Sequence, residues 1–367
     1  STPAITGVTT TLLAHVTLFK NRLFFVESSS MRLWYLPVNS VGGAAASMDM
    51  GSIFRLGGYV MAAYTWTLDA GSGSDDHLVI ISSNGEIAVY RGSDPSSATD
   101  WAVIGVFTMG RPLGRRCAVK FGGDLAVNTY EGVYPLGKGL LSSSVDRRVA
   151  LTDKIQNSVS QAASTLGANF GWQVCLNADD NMLILNVPYG GGANYQYAQN
   201  TITGAWTVFS GWDAQVWLKA STGLYYGGST FVNKAWTGNA DISVPITADV
   251  CQSFGYFGTK AYNKYFTMIR PYLMTGGSPS ILYALNTDYE LTEPTGALSY
   301  TAPTGMVWGS MVWGSMVWGG GLEPIRAWNT VGAVANSAAI RLKVLNGGAE
   351  FRFTNTDFLY QKSNSVL

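Results

Sequence analysis

Apolar and polar residues alternate along much of the chain in stretches that repeat one design. Residues 18–37, 77–94 and 118–136 each contain an apolar strand pattern, a turn of Asn, Gly, Ser or Asp, and an alternating strand pattern with an aromatic residue near its end. Two further copies occupy residues 181–211 and 218–238. Period-two alternation broken by turn residues is typical of a β-hairpin. The pattern therefore predicts five related hairpin units.

The hairpin units recur at a spacing that is typical of β-propeller blades. Their centres lie about 40 to 65 residues apart, and these centres are Leu23, Ile87, Leu125, Leu183 and Leu224. Blades arranged around an axis cover one another's faces and leave only short sheet edges. We therefore predict an all-β protein with a β-propeller of about five or six blades over residues 1–241. A β-sandwich, which is also built from short strands at regular spacing, is the alternative.

One short helix is predicted near residues 152–164. Its apolar residues recur at helical spacing, and these are Ile155, Val159 and Ala162 or Ala163. Thr152 or Asp153 is placed to cap its N-terminus. Because the helix is short and weakly apolar, we expect it to lie across a blade edge or against a neighbouring subunit.

The strand pattern changes from about residue 242 onward. Longer alternating segments appear, and two of them flank Asn346-Gly347-Gly348, which predicts a hairpin at the C-terminal end. Residues 242–367 are therefore predicted to form a second, irregular β-sandwich-like domain. Its longest irregular segment is the tandem repeat GMVWGSMVWGSMVWGGG at residues 305–321.

The tandem repeat places Trp308, Trp313 and Trp318 at a period of five. That period throws successive side chains onto opposite faces of a strand and draws no stripe along a helix. We interpret the segment as a loop that turns at its glycines and offers the tryptophans as inter-subunit anchors, since Trp is favoured at interfaces. Packing within the subunit and contact with a membrane or a sugar are the alternatives.

Charge and cysteine content limit the class of protein. Lys+Arg and Asp+Glu both number 23 among 367 residues, so the net charge is zero, and only 13% of residues are charged. A basic excess typical of tight nucleic-acid binders is missing. So little charge gives little protection against association, and we expect a chain that works inside an assembly. The three cysteines, Cys117, Cys175 and Cys251, are expected to be free and buried.

The sequence offers no pattern for catalysis, a cofactor or a metal. His15 and His77 stand far apart, without cysteine partners at ligand spacing, so they are interpreted as strand or turn residues. The pairs Asp75-Asp76 and Asp179-Asp180 sit among turn residues, where Asp accepts backbone hydrogen bonds. No phosphate-loop, hydrolase-elbow or zinc-protease motif occurs. We therefore predict no catalytic, cofactor-binding or metal-binding residue.

The densest basic cluster lies in the segment RPLGRRCAVK. It contributes Arg111, Arg115, Arg116 and Lys120. These residues are candidate DNA-near or interface charges, because a cationic loop repeated around a ring becomes a cationic ring. Solvated loop charges paired within the subunit are the alternative.

Several segments together resemble one family of virion proteins. DHLVIISSNGEIAVYRGSDP, WAVIGVFTMGRPLGRRC, LTDKIQNSVSQAAS, QYAQNTITGAWTVFSGWDAQVW and YFTMIRPYL, in this order, look like the packaged-DNA stabilisation proteins of short-tailed bacteriophages, the tail hub or nozzle subunits. The resemblance implies a propeller-bearing structural protein that is not an enzyme and has no cofactor. It also implies a homo-hexameric tube that retains the genome and conducts it during ejection.

The partners and location follow from the same resemblance. It implies contacts with the portal-proximal adaptor and with tail fibre or tailspike proteins, passage of double-stranded DNA without sequence specificity, no stable membrane insertion, and location in the virion after synthesis in the host cytoplasm. Two other functions stay open. One is a carbohydrate-binding or carbohydrate-cleaving tail protein that acts on the host surface, and the other is a cellular propeller that serves as a protein-interaction platform.

Overall fold

A computed structural model describes residues 3–69, 74–141, 147–191, 193–241, 244–300, 322–346 and 349–366. The chain divides into an N-terminal unit, Ser1–Ala235, and a C-terminal unit, Trp236–Leu367. The tandem tryptophan repeat, with Trp308, Trp313 and Trp318, lies outside the described residues. In the described part of the chain, no helix is long and apolar enough to cross a membrane.

The N-terminal unit begins with a four-stranded antiparallel sheet. The first strands of the chain are β1 (Ile5–Thr6), β2 (Leu13–Phe19), β3 (Arg22–Glu27), β4 (Arg32–Tyr35), β5 (Gly43–Ala44) and β6 (Ala46–Asp49). Strands β2, β3, β4 and β6 pair in that order as blade 1, while β1 and β5 form a separate parallel pair. A short 3₁₀ turn, Thr10–Leu12, precedes β2. Lys20 and Asn21 both have positive φ, as the two-residue turn between β2 and β3 requires.

Two further blades follow in chain order. Blade 2 has β7 (Val60–Asp69), β8 (Ser74–Ser82), β9 (Glu86–Arg91) and β10 (Ala102–Thr108). Blade 3 has β11 (Ala118–Phe121), β12 (Asp124–Thr129) and β13 (Gly132–Pro135). Every strand in these sheets pairs antiparallel with the next one along the chain.

Helices stand between blade 3 and blade 4. They are α1 (Leu136–Leu141), a 3₁₀ turn at Arg147–Val149, a 3₁₀ turn at Asp153–Ile155, and α2 (Gln156–Leu166). The sequence pattern predicts α2 but not α1. The buried face of α2 carries Val159, Ala162 and Ala163, as the spacing indicates. Thr152 does not cap the helix with its side chain; its hydroxyl instead accepts a hydrogen bond from the backbone N–H of Val133 at 3.2 Å.

The last two blades complete the N-terminal unit. Blade 4 has β14 (Gln173–Asn177), β15 (Met182–Gly190), β16 (Ala193–Asn200) and β17 (Trp206–Ser210). Blade 5 has β18 (Val216–Ala220), β19 (Gly223–Gly227) and β20 (Val232–Ala235). A 3₁₀ turn at Ala178–Asp180 joins β14 to β15.

The core of the N-terminal unit is divided among the junctions between successive blades. Four clusters of buried apolar side chains lie between blades 1 and 2, 2 and 3, 3 and 4, and 4 and 5. At one junction, for example, Ile81 of blade 2 packs in the same cluster as Leu125 of blade 3. Helix α2 adds Val159 to the cluster between blades 3 and 4. This blade-on-blade packing is that of a β-propeller, which confirms the predicted fold and gives five blades.

The C-terminal unit consists of two packed β-sheets. Its strands are β21 (Ala240–Asp241), β22 (Val244–Cys251), β23 (Tyr262–Thr275), β24 (Ser280–Thr287), β25 (Gly296–Ala297), β26 (Glu323–Ile325), β27 (Asn329–Ala335), β28 (Ala338–Asn346) and β29 (Phe351–Val366). One sheet has the order β21-β22-β28-β24-β25, and in the other β23 pairs with β26, β27 and β29. Ile269 and Leu273 from the second sheet meet Leu342 and Val344 from the first in one core. The unit is thus sandwich-like, as the sequence predicts.

The predicted hairpin around Asn346 is wrong. Strand β28 pairs with β22 and β24, whereas β29 pairs with β23 in the other sheet. Both segments alternate as strands should, but alternation does not specify a pairing partner. Here the chain crosses between the two sheets instead of folding back within one.

Candidate functional site

A cavity of about 330 Å³ opens where the first strands of all five blades converge. The wall of the cavity is formed in part by β2, β7, β11, β14 and β18. The lining residues are His15, Tyr64, Arg116, Ala118, Val119, Gln173, Val174, Cys175, Leu176, Trp217, Leu218 and Lys219. Convergence of separate chain segments on one concave site is the usual origin of a ligand site in a radial fold.

His15 is a lining residue that has one unpaired imidazole nitrogen. Its Nδ1 is buried and has no hydrogen-bond partner among the described residues. The ring lies edge-on to Tyr64, with 5.1 Å between the centroids. Burial, helped by the positive charge of Arg115, lowers the pKa of His15 to about 4. His15 is therefore neutral at neutral pH.

Tyr64 is held in place by the segment that precedes β11. Its hydroxyl donates to the backbone carbonyl of Arg115 at 2.9 Å and accepts from the backbone N–H of Ala118 at 3.3 Å. Burial raises its pKa well above the ordinary tyrosine value. Burial likewise raises the pKa of Cys117 to about 12 and that of Cys175 to about 11. These groups stay protonated, so neither thiol is an activated nucleophile.

Arg116 supplies a positive charge to the cavity. One of its nitrogens, Nη2, donates to the backbone carbonyl of Gln215 at 3.0 Å, and the guanidinium carbon lies 5.2 Å from the centroid of the Phe170 ring. Burial lowers its pKa, but a guanidinium stays charged at any physiological pH. Because the group has five N–H donors, it has donors beyond the one bonded to Gln215.

Gln173 and Lys219 complete the polar lining. The side-chain amide of Gln173 accepts from the backbone N–H of Trp217 at 2.9 Å and donates to the carbonyl of the same residue at 2.8 Å. This two-way bond locks β14 to β18. The ammonium of Lys219 forms an ion pair with Asp179 at 2.5 Å, so its charge is already balanced.

The charge balance of the cavity favours an anion. Among the described lining residues none is an aspartate or a glutamate, and Asp179 is paired with Lys219. Arg116 therefore carries a positive charge without a carboxylate partner in the wall. A pair of carboxylates, as used in most glycoside hydrolysis, cannot be assembled from these lining residues. Over the described ranges, no group of three or more His, Cys, Asp or Glu side chains could hold a metal ion.

The predicted basic cluster is only partly brought to the cavity. Arg116 lines it, and Arg115 lies close enough to affect His15 while donating to the carbonyl of Met61 at 2.9 Å. Arg111 stacks on Tyr130 with 5.2 Å to the ring centroid. Lys120 is exposed on β11. The suggested DNA-near or interface role of the four residues stays a prediction.

Sequence reasoning missed most of the cavity. The sequence indicates only a strand or turn residue at His15 and gives no motif for Tyr64, Gln173, Trp217 or Lys219. Their common feature is position, because each falls on the first strand of a blade. The thiols were predicted better: Cys117 and Cys175 are free and buried as expected, while Cys251 is free but exposed.

Comparison with known proteins assigns no family to the chain. No protein-family model matches it, and no curated protein matches it. The resemblance to phage tail proteins therefore stays a prediction. Over 95% of its length the chain is similar to 96% of a glycoside hydrolase family 43 arabinoxylan arabinofuranohydrolase from Bacillus subtilis, solved in complex with cellotetraose, at 10% identity and a TM-score of 0.30. Similarity at this level carries no argument about residues or substrate.

Two predictions run against this comparison, because the protein that it finds is an enzyme and not a tail component. The first is that the chain is a tail nozzle or hub subunit, and the second is that it is not an enzyme. The physical reason is that blade strands and turns carried the resemblance, and such segments report fold rather than function. The other expectations stay predictions: the homo-hexamer, the adaptor, tail fibre or tailspike and DNA as partners, and the location in the virion.

Proposed function

We propose that the N-terminal unit binds an acidic saccharide in the cavity formed by the first strands of its blades. The observation that carries the proposal is the charge balance there: Arg116 has spare donors and no carboxylate partner in the wall. A guanidinium presents paired N–H groups that match the two oxygens of a carboxylate. A uronic acid residue supplies that carboxylate on a sugar ring.

The rest of the wall supports a sugar rather than a bare anion. The side-chain amide of Gln173 makes one donated and one accepted hydrogen bond within the chain, and its remaining N–H and lone pair can serve a sugar hydroxyl. Val119 and Leu218 offer apolar surface against which the C–H face of a sugar ring can pack. A wall that combines apolar surface with a small number of polar groups is the usual composition of a small-molecule site.

The size of the cavity limits what enters it. Its volume of about 330 Å³ is at the small end of the range of ligand sites, about 300–1,000 Å³. The cavity is open to solvent, and Leu218 in its wall is 62% exposed. One acidic sugar residue can therefore occupy it while the neighbouring residues of a polysaccharide remain outside.

Affinity electrophoresis of the full chain tests the proposal. Native gels would contain polygalacturonate, alginate or hyaluronate as acidic probes, and a gel without polymer serves as the reference. We expect at least one acidic polymer to retard the protein, less so at high salt, because the contact with Arg116 is partly electrostatic. Release of reducing ends, measured on the same mixtures, reports any cleavage.

The decisive variant is Arg116→Met, with Lys120→Met as its matched control. Arg116→Met should abolish retardation by the acidic polymer, whereas Lys120→Met, which removes an exposed charge outside the cavity, should leave it unchanged. A melting curve of each variant verifies that it is folded. The proposal is overturned if none of the three acidic polymers retards the protein, or if both variants behave alike.

A further inference from the structure

Three aromatic rings form a surface cluster in the C-terminal unit. Phe254 and Tyr289 stack with 4.5 Å between their centroids and 27° between their planes. The hydroxyl oxygens of Tyr256 and Tyr289 lie 3.1 Å apart, and the Lys260 ammonium lies 4.9 Å from the centroid of the Tyr256 ring. Tyr289 is 61% exposed. We call Phe254, Tyr256, Tyr289 and Lys260 the aromatic platform.

Tyr289 occupies a backbone conformation that suits glycine better than tyrosine. It lies in the tight turn from Thr287 to Glu290, closed by a hydrogen bond from the Glu290 N–H to the Thr287 carbonyl at 2.9 Å. Both central residues are left-handed, with φ of 48° at Asp288 and 68° at Tyr289. Asp tolerates this region, but an aromatic residue there is strained. Such strain concentrates at functional sites.

The strained turn is anchored by Asp288. Its carboxylate Oδ1 accepts from the backbone N–H of Asn336 at 3.0 Å and from the backbone N–H of Ser337 at 2.8 Å. The Ser337 hydroxyl adds a longer bond at 3.3 Å. The turn that carries Tyr289 is therefore fixed to the turn between β27 and β28.

The loop that carries Tyr256 and Lys260 is anchored to the same turn. The buried ammonium of Lys264 donates to the carbonyls of Thr259 at 2.7 Å, Tyr262 at 3.0 Å and Asn336 at 2.8 Å. The Asn336 side chain also donates to the Lys260 carbonyl. Both aromatic segments are thus held in one geometry before any ligand arrives, which reduces the entropic cost of binding.

We propose that the aromatic platform is a second saccharide-binding site, which takes one ring of a neutral polysaccharide. A sugar ring has an apolar C–H face that packs on an aromatic face, and hydroxyl groups at its edge. The platform offers a partner for each: the exposed Tyr289 ring for the C–H face, and the hydroxyls of Tyr256 and Tyr289 with the Lys260 ammonium for the hydroxyl groups. Charged residues Lys260, Asp288 and Glu290 flank the rings, whereas the core of a protein interface is depleted of charged residues.

The platform is argued from the C-terminal unit alone and does not depend on the cavity in the N-terminal unit. The test is affinity electrophoresis of the full chain in gels that contain hydroxyethyl cellulose, arabinoxylan or dextran. We expect at least one of these neutral polymers to retard the protein. Tyr289→Gly should weaken that retardation roughly tenfold, because a stacked ring is lost, and Tyr289→Phe should keep most of it.

Tyr289→Gly separates binding from folding. Glycine relieves the strain in the turn, so the melting temperature should not fall even though retardation is lost. Tyr189→Ala is the matched control, since Tyr189 is 65% exposed on β15 and lies outside the platform, and it should bind as the unmodified chain does. Absence of retardation by all three polymers overturns the proposal. So does an effect of Tyr289→Gly on self-association in sedimentation without any effect on retardation, which would indicate a protein interface.

Discussion

Arg116 Nη2 donates to the backbone carbonyl oxygen of Gln215 at 3.0 Å, and this bond joins the segment before β11 to the segment before β18. Arg116 also forms a parallel β-bridge with Gln173 at the start of β14. One residue thus connects blades 3, 4 and 5. The side chain that is proposed to bind the ligand is part of the wall that shapes the cavity.

Replacing Arg116 should therefore affect stability as well as binding. Arg116→Met should lower the free energy of unfolding by about 1.5 kcal/mol, because a hydrogen bond from a charged donor is lost. Arg116→Lys should recover only part of this, since an ammonium cannot reproduce the planar fork. Urea unfolding measures both effects. An unchanged midpoint for Arg116→Met would show that the bond to Gln215 does not stabilise the propeller.

Asn186 is a fully bonded polar residue in the propeller core. Its Nδ2 donates to the carbonyls of Gly171 and Ala214, both at 2.8 Å. Its Oδ1 accepts from Gln196 Nε2 and Trp217 Nε1, both at 2.9 Å. Asn186→Leu leaves these partners unsatisfied, and we expect it to cost about 3 kcal/mol or more in the free energy of unfolding.

Asn128 provides the matched control for Asn186. It is equally buried, yet its Nδ2 and Oδ1 have no hydrogen-bond partner among the described residues. Asn128→Leu should therefore be neutral or stabilising, because removing an unsatisfied amide relieves its desolvation penalty. Urea unfolding of the two variants side by side is the measurement. Equal destabilisation would contradict this assignment of hydrogen bonds.

The stability of the propeller should depend on pH through His15. Its pKa is 6.5 in an unfolded chain and about 4 in the folded one, chiefly because of burial. Between these values the unfolded state binds a proton that the folded state does not. The free energy of unfolding should thus fall as the pH drops from about 6.5 to about 4, by at most about 3.4 kcal/mol. The full contribution of His15 to stability is present above that window.

His15→Gln isolates this effect from the titration of carboxyl groups. Urea midpoints measured across the same pH window should fall less steeply for the variant than for the unmodified chain. Parallel profiles for the two proteins would show that His15 is not the titrating group.

Lys264 should be one of the most sensitive positions in the C-terminal unit. Its ammonium serves three backbone carbonyls in a fully buried place. Lys264→Met removes the one donor that these three carbonyls share and should cost about 3 kcal/mol or more. Lys362, which pairs with Lys264 in register on β29 but is exposed, is the control, and Lys362→Met should change stability by less than about 0.5 kcal/mol. Calorimetric melting measures both, and equal shifts would argue against the bridging role of Lys264.

The sequence predicts the fold better than the pairing of its strands. Alternation and turn residues identify the blades because both are local properties of the chain, as the Lys20-Asn21 turn illustrates. They do not identify partners. Strands β28 and β29 alternate equally well but join different sheets, since the choice depends on which core their apolar faces complete.

Sequence patterns do not identify the residues of the candidate sites. His15 and Arg116 both line the cavity although they are about a hundred residues apart in the sequence. Because the spacing between blades varies from copy to copy, the sequence does not show which positions of different blades lie side by side. The strain at Tyr289 is likewise invisible in the sequence, because φ is a property of the folded turn. The residue type alone shows only that a tyrosine follows Asp288.

A crystal structure of the full chain with an oligosaccharide of the acidic polymer that retards it most tests the central claim most directly. We predict electron density for one acidic sugar residue in the cavity, with a carboxylate oxygen about 3 Å from the Arg116 guanidinium. A cavity that stays without density at a saturating concentration of that oligosaccharide would contradict the account.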